Sequence, residues 1–203
     1  MGGEAHVWDE MYRGGDYLRR WDSREPSPEL IALVAAGTIP VKGRTLDIGC
    51  GAGRDAVFLA QQGYRSVGVD ISAAALEIAA ERARQAGVLV DWRPGNALEL
   101  PLEAASIDFA SDRGCFHHIP EALRPRYSAE VARVLRPGRS FLLRGCRLAS
   151  DEDPSDDPFV AVTEASIDRA FGGKEWSRGP ILPLRLVSDA GALDSNVVLL
   201  HRK

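Results

Sequence analysis

Asp47-Ile48-Gly49-Cys50-Gly51-Ala52-Gly53 runs directly out of a short β-rich stretch, Thr45 to Ile48, and into a segment of helical period that starts near Arg54. Glycines at such a junction let the backbone turn sharply and leave no β-carbon to hold a ligand away from the chain. Beyond the helix, Ser66-Val67-Gly68-Val69-Asp70 reads as a second strand ending in a carboxylate, placed to accept both hydroxyl protons of a ribose. A glycine loop at one strand end and a ribose-reading acid at the next describe a nucleoside-containing cofactor bound where strand order reverses. The dinucleotide pattern G-x-G-x-x-G/A fails, because counting from Gly49 its last position falls on the bulky Arg54. No Gly-Lys-Ser/Thr follows, so the P-loop reading fails as well. An acid at Asp47, just ahead of the glycines, suits a cofactor that carries an amine and lacks phosphates.

Outward from this stretch the chain alternates short β-rich runs with helix-period segments, the pattern of βαβ units. The first helix should stop at Gly63, and Ser72 should cap an Ala-rich helix from Ala73 to Ala86. Val88 to Trp92 predicts a third strand and Ile107 to Ala110 a fourth. A helix beginning between Pro120 and Arg126 should lead through Pro137-Gly138 into a fifth strand, Ser140 to Arg144. A helix from Glu164 to Phe171 and two late strands, around Leu184 to Val187 and Asn196 to Leu200, complete the pattern. The expected fold is a doubly wound, Rossmann-like α/β domain: a mostly parallel seven-stranded sheet with an antiparallel last strand and helices on both faces. Residues 1–203 read as one domain, with a helical cover at 1–40, a cofactor-binding core at 41–147 and an acceptor side at 148–203.

The 203 residues suffice for one hydrophobic core. A net charge of −4 and a pI near 5.6 argue against binding nucleic acid by charge alone. Arg greatly outnumbers Lys, which occurs only as Lys42, Lys174 and Lys203, a bias of base composition more than of chemistry. Cys50, Cys115 and Cys146 are odd in number and lack a CxxC spacing, so neither a disulfide framework nor a cysteine metal site is expected. No apolar run approaches the roughly 18 residues of a membrane span, and the Met1 to His6 start lacks the apolar core of a signal peptide. The expected setting is the cytoplasm, without membrane, metal or nucleic-acid partner, and the sequence leaves oligomeric state open. Five acids between Ser150 and Pro158 read as a solvated loop after the fifth strand; the spacing does not reproduce a calcium loop.

The segment Asp47 to Gly53 with Asp70 resembles motif I of the class I S-adenosylmethionine (SAM) dependent methyltransferases. The resemblance spans about Arg44 to Arg144 and implies SAM as cofactor and S-adenosylhomocysteine as product. It implies cofactor contacts at Asp47, Gly49, Cys50, Gly51, Gly53, Asp70 and Ile71, and an adenine contact at Asn96 and Ala97. Many members have Asp where this chain has Asn96; an amide can still meet the adenine edge. A narrower resemblance rests on Asp112-Arg113-Gly114, the N-terminal Trp21-Asp22-Ser23-Arg24, and Asp157-Pro158-Phe159 with Ile167-Asp168 and Phe171-Gly172. These are similar to the thiopurine, thiol and halide methyltransferase group, with tellurite-resistance methyltransferases alike in size and core pattern. That likeness implies that Arg113 and Trp21 help enclose SAM.

His117 and His118 follow the fourth strand at the ligand-binding edge, and His117 is the candidate general base or substrate contact. Cys115 on the same edge reads as a packed small hydrophobe, and Tyr12, Tyr17 and Trp21 as a possible aromatic cover. With the core accounted for, little chain remains to build a pocket, so the expected acceptor is a small molecule. Thiol, halide or another soft nucleophile comes first by resemblance. A natural-product hydroxyl or amine, or a non-catalytic SAM-binding sensor, stands as the alternative.

Overall fold

Strand β1 (Arg44–Ile48) is buried on both faces, as befits a central parallel strand covered by helices on each side. It pairs in parallel with β2 (Arg65–Asp70), Leu46 opposite Val67, and with β4 (Ile107–Arg113), Leu46 opposite Ala110. β3 (Asp91–Pro94) adds to β2, and β5 (Leu135–Cys146) adds to β4, both parallel. The antiparallel strand is β8 (Gly191–Arg202), which pairs with β5. Its outer edge carries two consecutive pieces, β6 (Trp176–Arg178) and β7 (Leu182–Ser188), whose register steps by one residue across Gly179–Ile181. Pro180 lies in that step, where it need not supply a ladder N–H. Among the described residues the sheet has eight strands where seven were expected, in the order β3-β2-β1-β4-β5-β8-β6, with β7 continuing β6 along the outer edge of β8. The computed structural model describes residues 2–23, 25–147, 161–188 and 191–203; the acidic stretch Ser150 to Pro158, Asp157-Pro158-Phe159 and Arg24 lie outside the described residues.

Alternation along the strands sorts the core into two layers. Leu46, Ile48, Phe141 and Leu143 face α6 (Arg124–Val134) and α7 (Glu164–Phe171), where Val131, Val134, Ile167 and Phe171 close the larger cluster. Phe109 and Leu142 face α3 (Pro28–Ala35) and α4 (Arg54–Gln61), against Leu30 and Leu59. A third cluster joins Tyr12 of α1 (Gly2–Arg13) and Tyr17 of α2 (Asp16–Arg20) to Ala74 and Ala75 of α5 (Ala73–Gln85). Strand order reverses between β1 and β4, so the crevice for a ligand lies outside their carboxyl ends.

Several boundaries depart from the sequence reading, among them the start of β8 at Gly191 instead of about Asn196 and the end of β4 at Arg113 instead of Ala110. β3 begins at Asp91 instead of Val88, leaving Leu89 95% exposed in the connection. The shift follows from an edge strand's having one partner to set its start. β5 runs unbroken through Pro137-Gly138, which bulge the β4–β5 pairing without ending it. The short β6 carries no period long enough to be seen in the sequence.

Candidate functional site

The glycine loop leaves β1 with positive φ at Gly49 (62°) and Gly51 (51°), a backbone region costly for residues bearing a β-carbon. A β-carbon at Gly49 would stand 2.5 Å from Cys115 Cβ, and one at Gly51 would stand 2.4 Å from Tyr12 Oη. The loop is thus closed upon from two sides, by the turn after β4 and by helix α1. Cys50 N–H donates to Val69 O at 3.1 Å and folds the loop toward the end of β2.

There Asp70 is braced by the loop itself: Oδ2 accepts from Gly51 N at 2.8 Å and Oδ1 from Ser72 N at 2.9 Å. Burial pushes this carboxyl up, and the N–H groups of Ser72, Gly51 and Ile71 pull it back. A carboxylate offers about four acceptor sites, so these bonds orient Asp70 and still leave lone pairs for further donors. Gly95 N–H donates to Asp70 O at 2.9 Å, which brings the next loop, with Asn96 and Ala97, beside the carboxylate. Asn96 Oδ1 accepts from Leu98 N at 2.8 Å, which leaves the amino group as the donor end of the side chain. Ala97 packs against the main core.

Beneath the loop lies a group of buried charges on the α3/α4 side of the sheet. Arg144 of β5, fully buried, donates from Nη1 to Asp55 Oδ2 at 3.0 Å and to Glu29 Oε1 at 3.2 Å, and from Nε to Asp112 O at 3.1 Å. Asp55 also accepts from Ser27 N (2.9 Å) and Ser27 Oγ (2.7 Å), which fixes the start of α3. Asp47 accepts from Ser111 Oγ at 3.4 Å. Burial and the charge of Asp55 push the Asp47 carboxyl well up, against the opposing pull of Arg144. On the opposite face, toward α6, the Asp112 carboxyl is pushed up to about 6 by burial, although Tyr127 Oη donates to it at 2.5 Å and Cys115 N at 2.8 Å. Arg113, half-buried at the end of β4, adds positive charge that favours the ionised form of Asp55.

The N-terminal helices lie over this edge and are fastened by carboxylates. Asp9 Oδ1 accepts from Ser72 Oγ at 2.6 Å and Ala74 N at 3.0 Å, sharing the cap of α5. Asp22 Oδ2 accepts from Arg54 and Arg82, each at 3.0 Å, while Arg82 Nη1 donates to Ala52 O in the glycine loop at 2.7 Å. Between these anchors, Trp21 Nε1 donates to Tyr12 Oη at 3.2 Å, and the Trp8 ring stands edge-on to Trp21 (5.8 Å) and to His118 (4.8 Å). Tyr12, Tyr17 and Trp21 pack together, joined by Trp8. Arg54, which sequence reasoning left without a role, is a tie to that cover. Asp9, Asp22 and Arg82 were missed too; nothing local marks a pair that joins residues so far apart in sequence.

His117 is buried, and its Nδ1 accepts from Cys146 N at 3.2 Å. Burial first, then His118 and Arg124, hold its pKa well below the usual 6.5. The neutral ring therefore carries its proton on Nε2, where it donates and does not accept. Burial and nearby Asp112 push the Cys115 thiol up, which opposes a nucleophilic role. Among the described residues no cluster of three His, Cys, Asp or Glu could hold a metal, and no helix is long and apolar enough to cross a membrane.

The family described as a methyltransferase domain matches residues 45–138, which hold β1, the glycine loop, Asp70 and Asn96. The chain is 32% identical over 181 residues to a thiopurine S-methyltransferase of Legionella pneumophila, covering 82% of this chain and 80% of that one. It is 28% identical over 170 residues to a 2-heptyl-1-hydroxyquinolin-4(1H)-one methyltransferase of Mycobacteroides abscessus, covering 83% of this chain and 73% of the other. A structure reported for conversion of a disulfide bond into a thioacetal group during echinomycin biosynthesis superposes with a TM-score of 0.84 at 24% identity, over 98% of this chain and 93% of that one. The chain belongs to the class I SAM-dependent methyltransferases.

Proposed function

We propose that the enzyme methylates a small, soft nucleophile, a thiol, a halide or a close chemical relative, that reaches the site already ionised. The observation that carries this reading is His117, the candidate base: it is buried, its Nδ1 is taken by Cys146 N–H, and burial holds its pKa well below the usual 6.5, which makes it a weak base. A hydroxyl acceptor would need such a base; a thiolate or halide needs none. The similarity to a thiopurine S-methyltransferase supports the same class.

In this reading SAM supplies a methyl group on a sulfonium that departs as a neutral thioether. Asp70 would hold the ribose hydroxyls, with Ile71 beside it, and Asn96 and Ala97 would meet the adenine. Asp47, Gly49, Cys50, Gly51 and Gly53, with Arg113 and Trp21, would hold the amino-acid part. What the chain contributes to the rate is alignment, holding nucleophile and methyl carbon about 3 to 3.5 Å apart and in line. The aromatic cover of Trp8, Tyr12 and Trp21 keeps bulk water from that line.

A screen for S-adenosylhomocysteine formation against thiols, thiopurines, halides, phenols and amines tests the reading. The expected result is turnover of thiols or halides, with a pH profile for thiols that follows the acceptor's own ionisation. Turnover confined to phenols or amines would overturn it.

A further inference from the structure

Asp112, near the end of β4, lies directly beside Ile48, the last residue of β1 before the glycine loop. It is fully buried, and its carboxylate faces the chain that follows it. Oδ1 accepts from Cys115 N at 2.8 Å, and Oδ2 accepts from Phe116 N at 3.0 Å and from Tyr127 Oη at 2.5 Å. These bonds fold residues 113–116 into a tight turn, with Gly114 at a φ of 107°. Cys115 of this turn occupies the place that a side chain at Gly49 would need, its Cβ 2.5 Å from the position of that β-carbon. The turn after β4 thus seats on the glycine loop, and one carboxylate sets its shape.

An ionised carboxylate has an acceptor site for each of the three donors, and a proton on either oxygen removes one while the donors stay in place. The titratable and charged groups around Asp112 are Tyr127 and Arg124 of α6, Cys115 of the turn and, across the sheet, Asp47 of β1 and Arg144 of β5. Burial pushes Tyr127 and Cys115 up, so both stay neutral below pH 8, and the arginines stay charged. Burial also raises Asp112 itself from the usual 3.8 to about 6. Its contribution to folding stability is therefore present below 3.8 and lost as pH rises through about 6. At neutral pH the carboxylate is held at a cost to the fold.

We infer that Asp112 is a positioning residue for the cofactor: its ionised carboxylate holds the turn after β4 against Gly49, and protonation slackens the glycine loop. The inference rests on the SAM reading of that loop and goes beyond it by tying SAM affinity to one buried acid. Affinity should rise with pH over the window in which this acid's contribution to stability falls, whereas a merely structural role would move the two together. Calorimetric titrations of SAM between pH 5 and pH 8 test it, and because every chain compared keeps Asp47, parent-to-variant ratios isolate Asp112. Asp112→Asn, which keeps the shape and one acceptor oxygen, should bind SAM about tenfold more weakly than the parent at pH 8, the worth of one hydrogen bond to a charged group, and within about twofold of it at pH 5. Tyr127→Phe keeps the ring and removes a donor that favours the ionised form, so it should match the parent at pH 8 and lose affinity at a higher pH than the parent does. A parent affinity that is the same at pH 5 and pH 8, a parent-to-Asn ratio that does not change with pH, or a Tyr127→Phe profile superimposed on the parent's overturns the proposal. A parent chain that binds SAM at no pH overturns the cofactor reading beneath it.

Discussion

Arg144→Met is expected to destabilise the fold by about 3–5 kcal/mol at neutral pH, the cost of breaking a buried ion pair by removing one partner. The guanidinium is fully buried and bonds Asp55, Glu29 and the carbonyl of Asp112. Asp55 in turn holds Ser27 at the start of α3, and Asp47 lies close enough to feel the same positive charge. Methionine fills the volume and leaves these carboxylates without their cation. The pH dependence has a definite sign. In the parent, Arg144 and Ser27 hold Asp55 below the usual 3.8, so its contribution is present above that pH and is lost as pH falls through the lower, folded value. In the variant the same carboxyl must rise above 3.8, so its ionisation destabilises at neutral pH and this penalty disappears in acid. Urea unfolding at pH 7 and pH 4.5 should therefore show a large deficit that shrinks at the lower pH. A deficit below about 1 kcal/mol, or one independent of pH, would contradict the buried-charge account.

Asp70→Ala should weaken SAM binding by about 1–3 kcal/mol, roughly 5- to 150-fold, through lost charge-assisted hydrogen bonds. The loss has two parts. The ribose hydroxyls lose their acceptor, and Gly51 N and Ser72 N lose the carboxylate that orients the loop and the start of α5. Asp70→Asn keeps an acceptor oxygen and should fall between parent and Ala. A calorimetric titration in which Asp70→Ala binds SAM as tightly as the parent would remove Asp70 from the site.

The parts of the fold legible in the sequence were those with a strong period or an unambiguous stop. β1, β2, the Gly63 stop, the Ser72 cap and the Glu164–Phe171 helix all emerge from local rules, and the Ser72 cap is realised by Ala75 N donating to its Oγ at 3.1 Å. The edges were less legible. Val88-Leu89-Val90 has the composition of a strand, yet β3 starts after it, because strand pairing and not β propensity sets an edge strand's start. The placement of Asp70 beside Gly51 and Asn96 follows from parallel strand order, which the βαβ pattern dictates. Arg144 is the opposite case. In sequence it reads as a residue of a buried strand, and its role exists only because β1, α3, α4 and β4 converge on it in space. The cover shows the same limit: aromatics at Tyr12 and Trp21 were visible, whereas the carboxylates that pin them, Asp9 and Asp22, reach partners in α4 and α5 that no local spacing connects.

The central claim is that the glycine loop after β1 and the carboxylate ending β2 form a SAM site. A calorimetric titration of SAM into the 203-residue chain, run beside NAD, tests it most directly. The account predicts one site per chain with an affinity of about micromolar order, near −8 kcal/mol, and no heat from NAD. Binding of NAD in place of SAM, or no binding of SAM at all, would contradict it.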